Sequence, residues 1–388
     1  MERYKINIEV LSPIHIGCDE FFKPVEFLID SKERVLITFS LFDLLEELSP
    51  SEKNELERIA DKREVSSLVD LYKFYAYHIK DKIKSLRNIK KYSIPNELAK
   101  RYEEVLRLNS ERDIIQNFNA FEIPRTYFNP YTDQPIIPGS SLKGALRTGY
   151  LEKLLREHSD APKIKELKSK IDKVNIKTPS KEIKTLFNDL EKKLLFYTNP
   201  ANDPFKSVKI SDLIPVNSIS TKILYQVNVS KEKGETKGGL TLPLEIIPSG
   251  AHFEGNLVID YKSNNDKLQI KEKIKFEELL NSTHKHFLSI LKQEYTLCKN
   301  LNFKVIPLTK SHQNAIKEKK AILIKIGKHS GAEAMTLDGI RKILIKKSGN
   351  RKEYKESSTT IWLASENKNN ISNAMPFGWA ILYFEKIV

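Results

Sequence analysis

Residues 137–147, with the sequence IPGSSLKGALR, combine a Pro-Gly turn, two serines and two cations. The turn leads into a predicted helix that either serine could cap, because a serine hydroxyl accepts hydrogen bonds from unpaired helical N–H groups. Lys143 and Arg147 are four residues apart, so they share a face and repel each other, and Lys143 opposes the positive end of the helix dipole. A bound anion would relieve both conflicts. The sequence therefore predicts a phosphate-binding helix start formed by Gly139, Ser140, Ser141, Lys143 and Arg147. The alternative is a well-capped surface helix with solvated charges.

The composition favours a polyanionic partner. The 388 residues include 65 Lys and Arg against 51 Asp and Glu, which gives a net charge of +14. This excess makes nucleic acid the first candidate partner and an anionic membrane surface the alternative. No apolar run of about 18 residues could span a bilayer, and the first residues do not resemble a cleavable signal. We therefore expect a cytoplasmic protein with no membrane contact.

The sequence gives no sign of a metal or cofactor site. Cys18 and Cys298 are far apart, which fits neither a disulfide framework nor a thiolate zinc site. His284 and His286 are two residues apart, so on a helix they point in different directions, and we expect both on the surface. The Gly-Lys-Ser/Thr ending of a triphosphate-binding loop does not occur. We expect no metal and no cofactor.

Local patterns predict a mixed α+β protein. Alternation of apolar and polar residues, or bounding turn residues, predicts strands or extended segments at residues 3–11, 25–29, 34–39, 121–128, 133–137, 219–229, 253–261, 321–326, 358–363 and 376–384. Helical periodicity predicts three or four helices over 41–110 and further helices at 141–157, 164–174, 181–197, 273–301 and 337–345. Residues 229–239 look like a flexible basic loop. Strands with one apolar face favour an antiparallel sheet covered by helices.

Several of these segments together resemble the RAMP (repeat-associated mysterious protein) superfamily of CRISPR RNA-binding subunits. Residues 137–147 are similar to the helix signature of that family, and residues 11–17 (LSPIHIG) to its opening strand and glycine turn. Residues 244–254 resemble a segment entering a late core strand. Residues 321–331 resemble the C-terminal glycine-rich loop, and residues 375–379 the closing strand of one subgroup.

The order of these segments, the length and the helical insertion resemble the type III-A (Csm) effector subunit that caps the 3′ end of the CRISPR RNA. The resemblance implies two ferredoxin-like, RNA-recognition-type modules. We place them at residues 1–262, with a large helical insertion at about 41–118, and at residues 263–388, with the boundary in the polar segment 261–267.

The resemblance also implies a non-catalytic structural role. The expected partners are the CRISPR RNA, the repeated backbone RAMP subunit of the Csm complex, the small subunit, and nucleases recruited for 3′-end maturation. The expected mechanism is positioning, in which phosphates and 2′-hydroxyls are held with little base-specific hydrogen bonding, because guide sequences vary while backbone geometry does not.

Other cations, glycines and a tyrosine are candidate RNA contacts. Arginine can clamp a phosphate, tyrosine can stack on a base, and glycine allows close approach of a backbone. Beyond the helix start, the candidates are His15, Gly17, Arg125, Tyr127, Lys231, Lys237, Gly327, Lys328 and Gly331. The loop at 327–331 departs from the fuller glycine repetition common in RAMP proteins. A solvated surface role is the alternative for each.

Two other functions stay open at the level of sequence. His15 could be the general base of a metal-independent endoribonuclease that processes CRISPR transcripts, because imidazole titrates near neutrality. The structural alternative is a hydrogen-bonded turn histidine. Asp19 lies where target-cleaving backbone relatives carry an aspartate, with a solvated turn carboxylate as its alternative. The chain could instead be a scaffold that recruits nucleases through its helical insertion.

Overall fold

The N-terminal strand forms where alternation predicts it, with Ile6 and Ile8 fully buried. The computed structural model describes residues 1–62, 64, 66–108, 121–237, 241–260, 273–346 and 351–387. The strands among them are β1 (Glu2–Val10), β2 (Gly17–Phe21), β3 (Phe27–Asp30), β4 (Val35–Thr38), β5 (Lys90–Ser93), β6 (Pro124–Thr126), β7 (Val208–Ile210), β8 (Ile214–Pro215), β9 (Lys222–Ser230), β10 (Pro243–Ile246), β11 (His252–Ile259), β12 (Ala321–Lys325), β13 (Ile343–Lys346), β14 (Lys352–Lys355), β15 (Thr360–Ser365), β16 (Met375–Pro376) and β17 (Trp379–Ile387).

The α-helices of the described residues include the predicted helices near 141–157, 164–174, 181–197 and 273–301, with ends shifted by a few residues. They are α1 (Leu41–Glu47), α2 (Pro50–Asp61), α3 (Ser66–Tyr77), α4 (Lys80–Ser85), α5 (Asn96–Leu106), α6 (Gly139–Glu157), α7 (Pro162–Asp172), α8 (Ser180–Leu194), α9 (Phe276–Asn300) and α10 (Lys310–Lys317). Within the described ranges, none of the helices is both long enough and apolar enough to cross a membrane.

The first sheet is antiparallel and has the strand order β12-β17-β1-β11-β7, with β8 beside β11. Helices α6 and α9 pack against each other and share one apolar core with this sheet. The path β1-α6-β7-β11-α9-β17 gives a βαββαβ arrangement in which β1 lies between β11 and β17. The N-terminal strand is therefore held by strands from both halves of the chain.

The second sheet has the order β16-β15-β9-β5-β4-β3, with β10 beside β9. Helices α1–α5 pack on it and form a second core with its strands. The predicted helical insertion at 41–118 is thus a helical layer, but it holds five helices in its described part rather than three or four. It also contains strand β5, which pairs with β4 and β9. Residues 109–118 lie outside the described residues.

The sheets do not follow the predicted division into two modules at residue 262. Both sheets take strands from each side of that position, because β1 pairs with β17 and β9 pairs with β15. The local pattern shows that a strand has an apolar face but not which distant strand completes its hydrogen bonds. The boundary segment 261–267 itself lies outside the described residues.

Residues 337–345, predicted as a helix, form a turn that leads into a strand. Strand β13 occupies the end of this stretch and pairs with β14. Ile343 and Ile345 lie on one half-buried face of β13, whereas Leu344 between them is exposed. The sequence of β14, KEYK, carries no apolar alternation that would have identified it as the partner.

The prediction of two surface histidines on α9 is wrong for His286, whereas His284 is half-buried. His286 is buried, and its Nδ1 lies 2.7 Å from Oε2 of Glu152 on α6, while its Nε2 lies 3.4 Å from the Ala334 carbonyl. His284 accepts a hydrogen bond from the backbone N–H of Leu323. Both histidines therefore fasten α9 to its neighbours, and their partners are too distant in sequence to be seen in a local pattern.

Candidate nucleic-acid interface

Helix α6 begins at Gly139 without the predicted serine cap. Pro138 is the N-cap residue, and no side-chain hydroxyl caps the helix. Instead the Gly139 N–H donates to Oδ1 of Asp212 at 2.8 Å, from the loop between β7 and β8. A Cβ at Gly139 would lie 2.4 Å from the Ile210 carbonyl oxygen, so only glycine fits this approach. A carboxylate of the protein therefore satisfies part of the helix start, and Ser140 stays exposed beside it.

The two cations of the helix start have different surroundings. Arg147 pairs with Glu191 through its Nε at 3.1 Å and with Asp203 through its Nη1 at 3.0 Å, so two carboxylates already balance its charge. Lys143 makes no ion pair or hydrogen bond with any described residue, and its partial burial lowers the pKa of its ammonium. Lys143 is therefore the residue of this helix that an external phosphate would stabilise most.

A direct test of this local packing compares two glycines of α6. A Cβ at Gly144 meets no atom within 4 Å, so Gly144→Ala should stabilise the fold by about 0.5–1 kcal/mol through helix propensity. Gly139→Ala should destabilise it by about 1–3 kcal/mol, because the new methyl group would overlap backbone oxygen. Urea unfolding of both variants measures this difference. Equal stabilities would show that the helix start is not packed as described.

His15 is 1% exposed, and its ring is fixed by the protein. Its Nδ1 lies 2.7 Å from the carbonyl oxygen of Glu245. Burial, together with the nearby charge of Lys328, lowers the pKa of His15 to about 4. A general base works best when it reaches the substrate and its pKa lies near the working pH. The lowered pKa of His15 makes it a weak base, and this does not favour the endoribonuclease role.

The lowered pKa of His15 predicts how the stability of the fold depends on pH. The unfolded chain takes up a proton at His15 near pH 6.5 and the folded chain near pH 4, so acid favours unfolding in this window. The free energy of unfolding of the wild type should fall faster than that of His15→Asn, by about 1.4 kcal/mol per pH unit between these values. Denaturation of both proteins across pH 4–7 measures the two slopes, and parallel slopes would contradict the buried neutral imidazole.

The second glycine loop packs directly on the His15 turn. The Lys328 N–H donates to the His15 carbonyl at 2.8 Å. Gly327 has φ 89°, and a Cβ there would lie 2.7 Å from the same carbonyl oxygen, so glycine is required for this approach. Gly17 and Lys328 are both exposed, and Lys328 forms no ion pair with a described residue. Gly331 lies four residues after Gly327, in the same loop.

Two other cations that were predicted to contact RNA form ion pairs with carboxylates of the protein. Arg125 contacts Asp133 at 2.7 Å and Glu245 at 3.2 Å, and its guanidinium stacks 3.8 Å from the centre of the Phe128 ring. Lys231 pairs with Glu333 at 2.7 Å. These contacts give both cations a role inside the fold.

Residues 229–237 form a turn that folds back on β9 rather than an open loop. Thr236 bridges to Val229, and the Lys237 N–H donates to the Asn228 carbonyl. The Lys237 side chain is exposed. Gly238 and Gly239, at the end of this stretch, lie outside the described residues.

Asp19 is exposed at φ 58° on β2. The solvated turn carboxylate that the sequence left open as its alternative matches this placement.

A series of backbone hydrogen bonds connects the loop of Lys328 with the segment that leads to Lys143. Lys328 N–H donates to His15 O at 2.8 Å, Tyr127 N–H to Ile16 O at 2.6 Å, and Ile136 N–H to Tyr127 O at 2.9 Å. Residues 137–139 then lead into α6. We call residues 327–328, 14–17, 125–128 and 135–143 the backbone seam. Since paired segments lie about 5 Å apart, the seam extends about 15 Å from Lys328 toward the start of α6.

Sequence reasoning missed the acidic and aromatic residues that hold the seam together. Glu245 is buried and accepts hydrogen bonds from Thr221 Oγ1 at 2.6 Å and from Thr126 N–H at 3.1 Å, besides contacting Arg125. Asp212 has the comparable role at Gly139. A carboxylate in the apolar run LEII is an unusual feature. This feature could have identified Glu245 as a buried carboxylate with partners inside the fold.

The comparisons with known proteins agree with this architecture. A model of the RAMP superfamily matches residues 7–293. A chain in the cryo-EM structure of a Csm-crRNA-target RNA ternary complex of a type III-A CRISPR-Cas system is similar, with 18% identity, a TM-score of 0.55, and coverage of 98% of this chain and 100% of that chain. The crystal structure of T. onnurineus Csm5 is similar with 17% identity, a TM-score of 0.57, and coverage of 97% and 99%.

No curated protein sequence matches the chain. The structural likenesses show that the fold is shared from end to end, and the family model covers most of the sequence. This chain belongs to the RAMP superfamily.

Proposed function

We propose that this chain is an RNA-binding structural subunit of a type III-A (Csm) effector complex. In this role it caps the complex at the 3′ end of the CRISPR RNA and is needed for maturation of that end. Its membership of the RAMP superfamily and its likeness over full length to Csm5 and to a chain of a Csm-crRNA complex support the proposal. The proposed partners are the CRISPR RNA, the repeated backbone RAMP subunit, the small subunit and recruited nucleases, in the cytoplasm.

The observation that carries the RNA-binding part is the backbone seam. It groups the exposed glycine turn, the second glycine loop and the helix start, which the sequence predicted separately as RNA contacts. Lys143 and Lys328, at its two ends, form no ion pair with a described residue, whereas Arg125 and Arg147 do. Backbone approach and unpaired ammonium groups recognise phosphates without reading bases.

The seam favours positioning over cleavage. Burial within the seam lowers the pKa of His15 to about 4, so its imidazole is a weak base near neutral pH. A structural subunit needs only a fixed surface of this kind, and nuclease partners supply the chemistry of trimming.

The test is to map guide RNA 3′ ends in cells that contain or lack this subunit. With the subunit, the ends should be trimmed to a mature length, and the RNA should co-purify with it. Without it, longer ends should accumulate. A variant carrying Lys53→Ala and Lys100→Ala, on exposed faces of α2 and α5, leaves the seam unchanged and should restore trimming. Identical 3′ ends with and without the subunit would refute the maturation role.

A further inference from the structure

The tautomer of His15 follows from its single ring contact. Its Nδ1 lies 2.7 Å from the Glu245 carbonyl oxygen, and a carbonyl oxygen can only accept a hydrogen bond. Nδ1 therefore carries the proton. In the neutral ring, Nε2 then carries a lone pair and can only accept. The lowered pKa, about 4, keeps the ring neutral near pH 7.

The acceptor atom of His15 is not satisfied within the fold. Nε2 is buried, and none of the described residues offers it a hydrogen bond, although the side chain as a whole is 99% buried. Leaving such an atom buried and unpaired destabilises a protein. A donor from outside the chain would recover this energy.

The seam provides a route to this atom at Gly17. A Cβ on Gly17 would lie 3.8 Å from His15 Nε2, so the missing side chain leaves space beside the acceptor. The same point lies 3.9 Å from Cδ of Lys328, so this exposed side chain borders the space. Movement of this lysine toward a phosphate would uncover Nε2 for the neighbouring sugar.

The chemistry of the acceptor limits what can bind it. Phosphate oxygens and ring oxygens of a sugar–phosphate backbone only accept hydrogen bonds, so they cannot pair with Nε2. The 2′-hydroxyl is the donor that an RNA backbone carries and a DNA backbone lacks. A contact to the backbone also suits a site that must accept variable guide sequences.

We infer that His15 accepts a hydrogen bond from the 2′-hydroxyl of one nucleotide lying over Gly17, and that this contact makes the seam selective for RNA over DNA. The inference rests on the proposed RNA-binding function and assigns one atom of the ligand to one atom of the protein. His15 is thus a specificity-determining residue.

The test pairs a protein variant with single-atom changes in the RNA. His15→Asn keeps an N–H at the position of Nδ1, so it can still donate to the Glu245 carbonyl, but it lacks an acceptor at the position of Nε2. Binding of the full chain is measured for guide-length RNA carrying 2′-deoxy or 2′-fluoro at one nucleotide at a time. The 2′-fluoro group removes the donor while keeping the pucker of ribose.

The wild type should bind the RNA about fivefold more weakly when one particular nucleotide carries either substitution. This is the usual contribution of one hydrogen bond to affinity. His15→Asn should bind unmodified RNA about fivefold more weakly and lose nothing further at that position. Equal losses in both proteins, or wild-type binding that tolerates 2′-fluoro at every position, would overturn the inference. If His15→Asn does not fold, the 2′-fluoro scan of the wild type decides the matter alone.

Failure of this inference can be distinguished from failure of the proposed function. If the chain binds unmodified RNA and the binding depends on Lys143 and Lys328, the proposed function stands even when no position couples to His15. If the chain does not bind unmodified RNA, the proposed function is refuted, and the role of His15, which depends on it, is refuted as well.

Discussion

Replacing Lys143 and Lys328 together by alanine should weaken binding of guide RNA by about tenfold at physiological salt. Both lysines belong to the backbone seam and form no ion pair with a described residue, so we expect the RNA to lose two phosphate contacts while the fold loses no ion pair. The slope of log Kd against log salt concentration should fall by about 0.7 for each lost contact. Fluorescence anisotropy with labelled RNA over a salt series measures both quantities.

The matched control for this variant is Lys53→Ala with Lys100→Ala, which removes the same charge from α2 and α5 on the second sheet. Its RNA affinity should stay within about twofold of the wild type, and its salt slope should not change. If both double variants lose affinity equally, binding depends on net charge, and the seam is not the RNA site.

Replacing Glu245 by alanine should destabilise the protein by about 3–5 kcal/mol. The carboxylate is 2% exposed and receives hydrogen bonds from Thr221, Thr126 N–H and Arg125. Its removal would leave the buried Arg125 guanidinium without one of its two carboxylates and would leave two further donors unpaired. Urea denaturation monitored by circular dichroism measures the loss.

Glu166→Ala is the reference for the effect of Glu245. Glu166 is exposed on α7 and pairs with Lys170 four residues later. Removal of this surface carboxylate should change stability by less than about 1 kcal/mol. Similar losses in the two variants would mean that Glu245 does not anchor the seam.

The elements that rest on local periodicity could be predicted from the sequence. Strand β1, helix α6 and helix α9 form within a few residues of their predicted positions, because each has one apolar face with the period of its own secondary structure. The pairing of β1 with β17 could not be predicted, because it joins residues at opposite ends of the chain. The division into two modules at residue 262 stays a prediction, while both sheets take strands from each side of that position.

In the candidate site, the sequence shows which charged residues are present but not which of them form ion pairs. Glycines and cations that could meet a phosphate are visible in the sequence, and the structure brings many of them to one seam. Which cations are already neutralised is not visible, because Glu191 lies 44 residues from Arg147 and Glu245 lies 120 residues from Arg125. Sequence reasoning therefore gave Arg147 and Lys143 equal weight, although Lys143 alone of the two lacks a carboxylate partner within the described residues.

The RNA-binding role of the seam can be examined in a structure of this chain bound to guide RNA within its complex. We expect RNA phosphates within ion-pair distance of the Lys143 and Lys328 ammonium groups, with a sugar between them lying over Gly17. A guide that runs over another surface, with the seam packed against a neighbouring subunit or open to solvent, would contradict it.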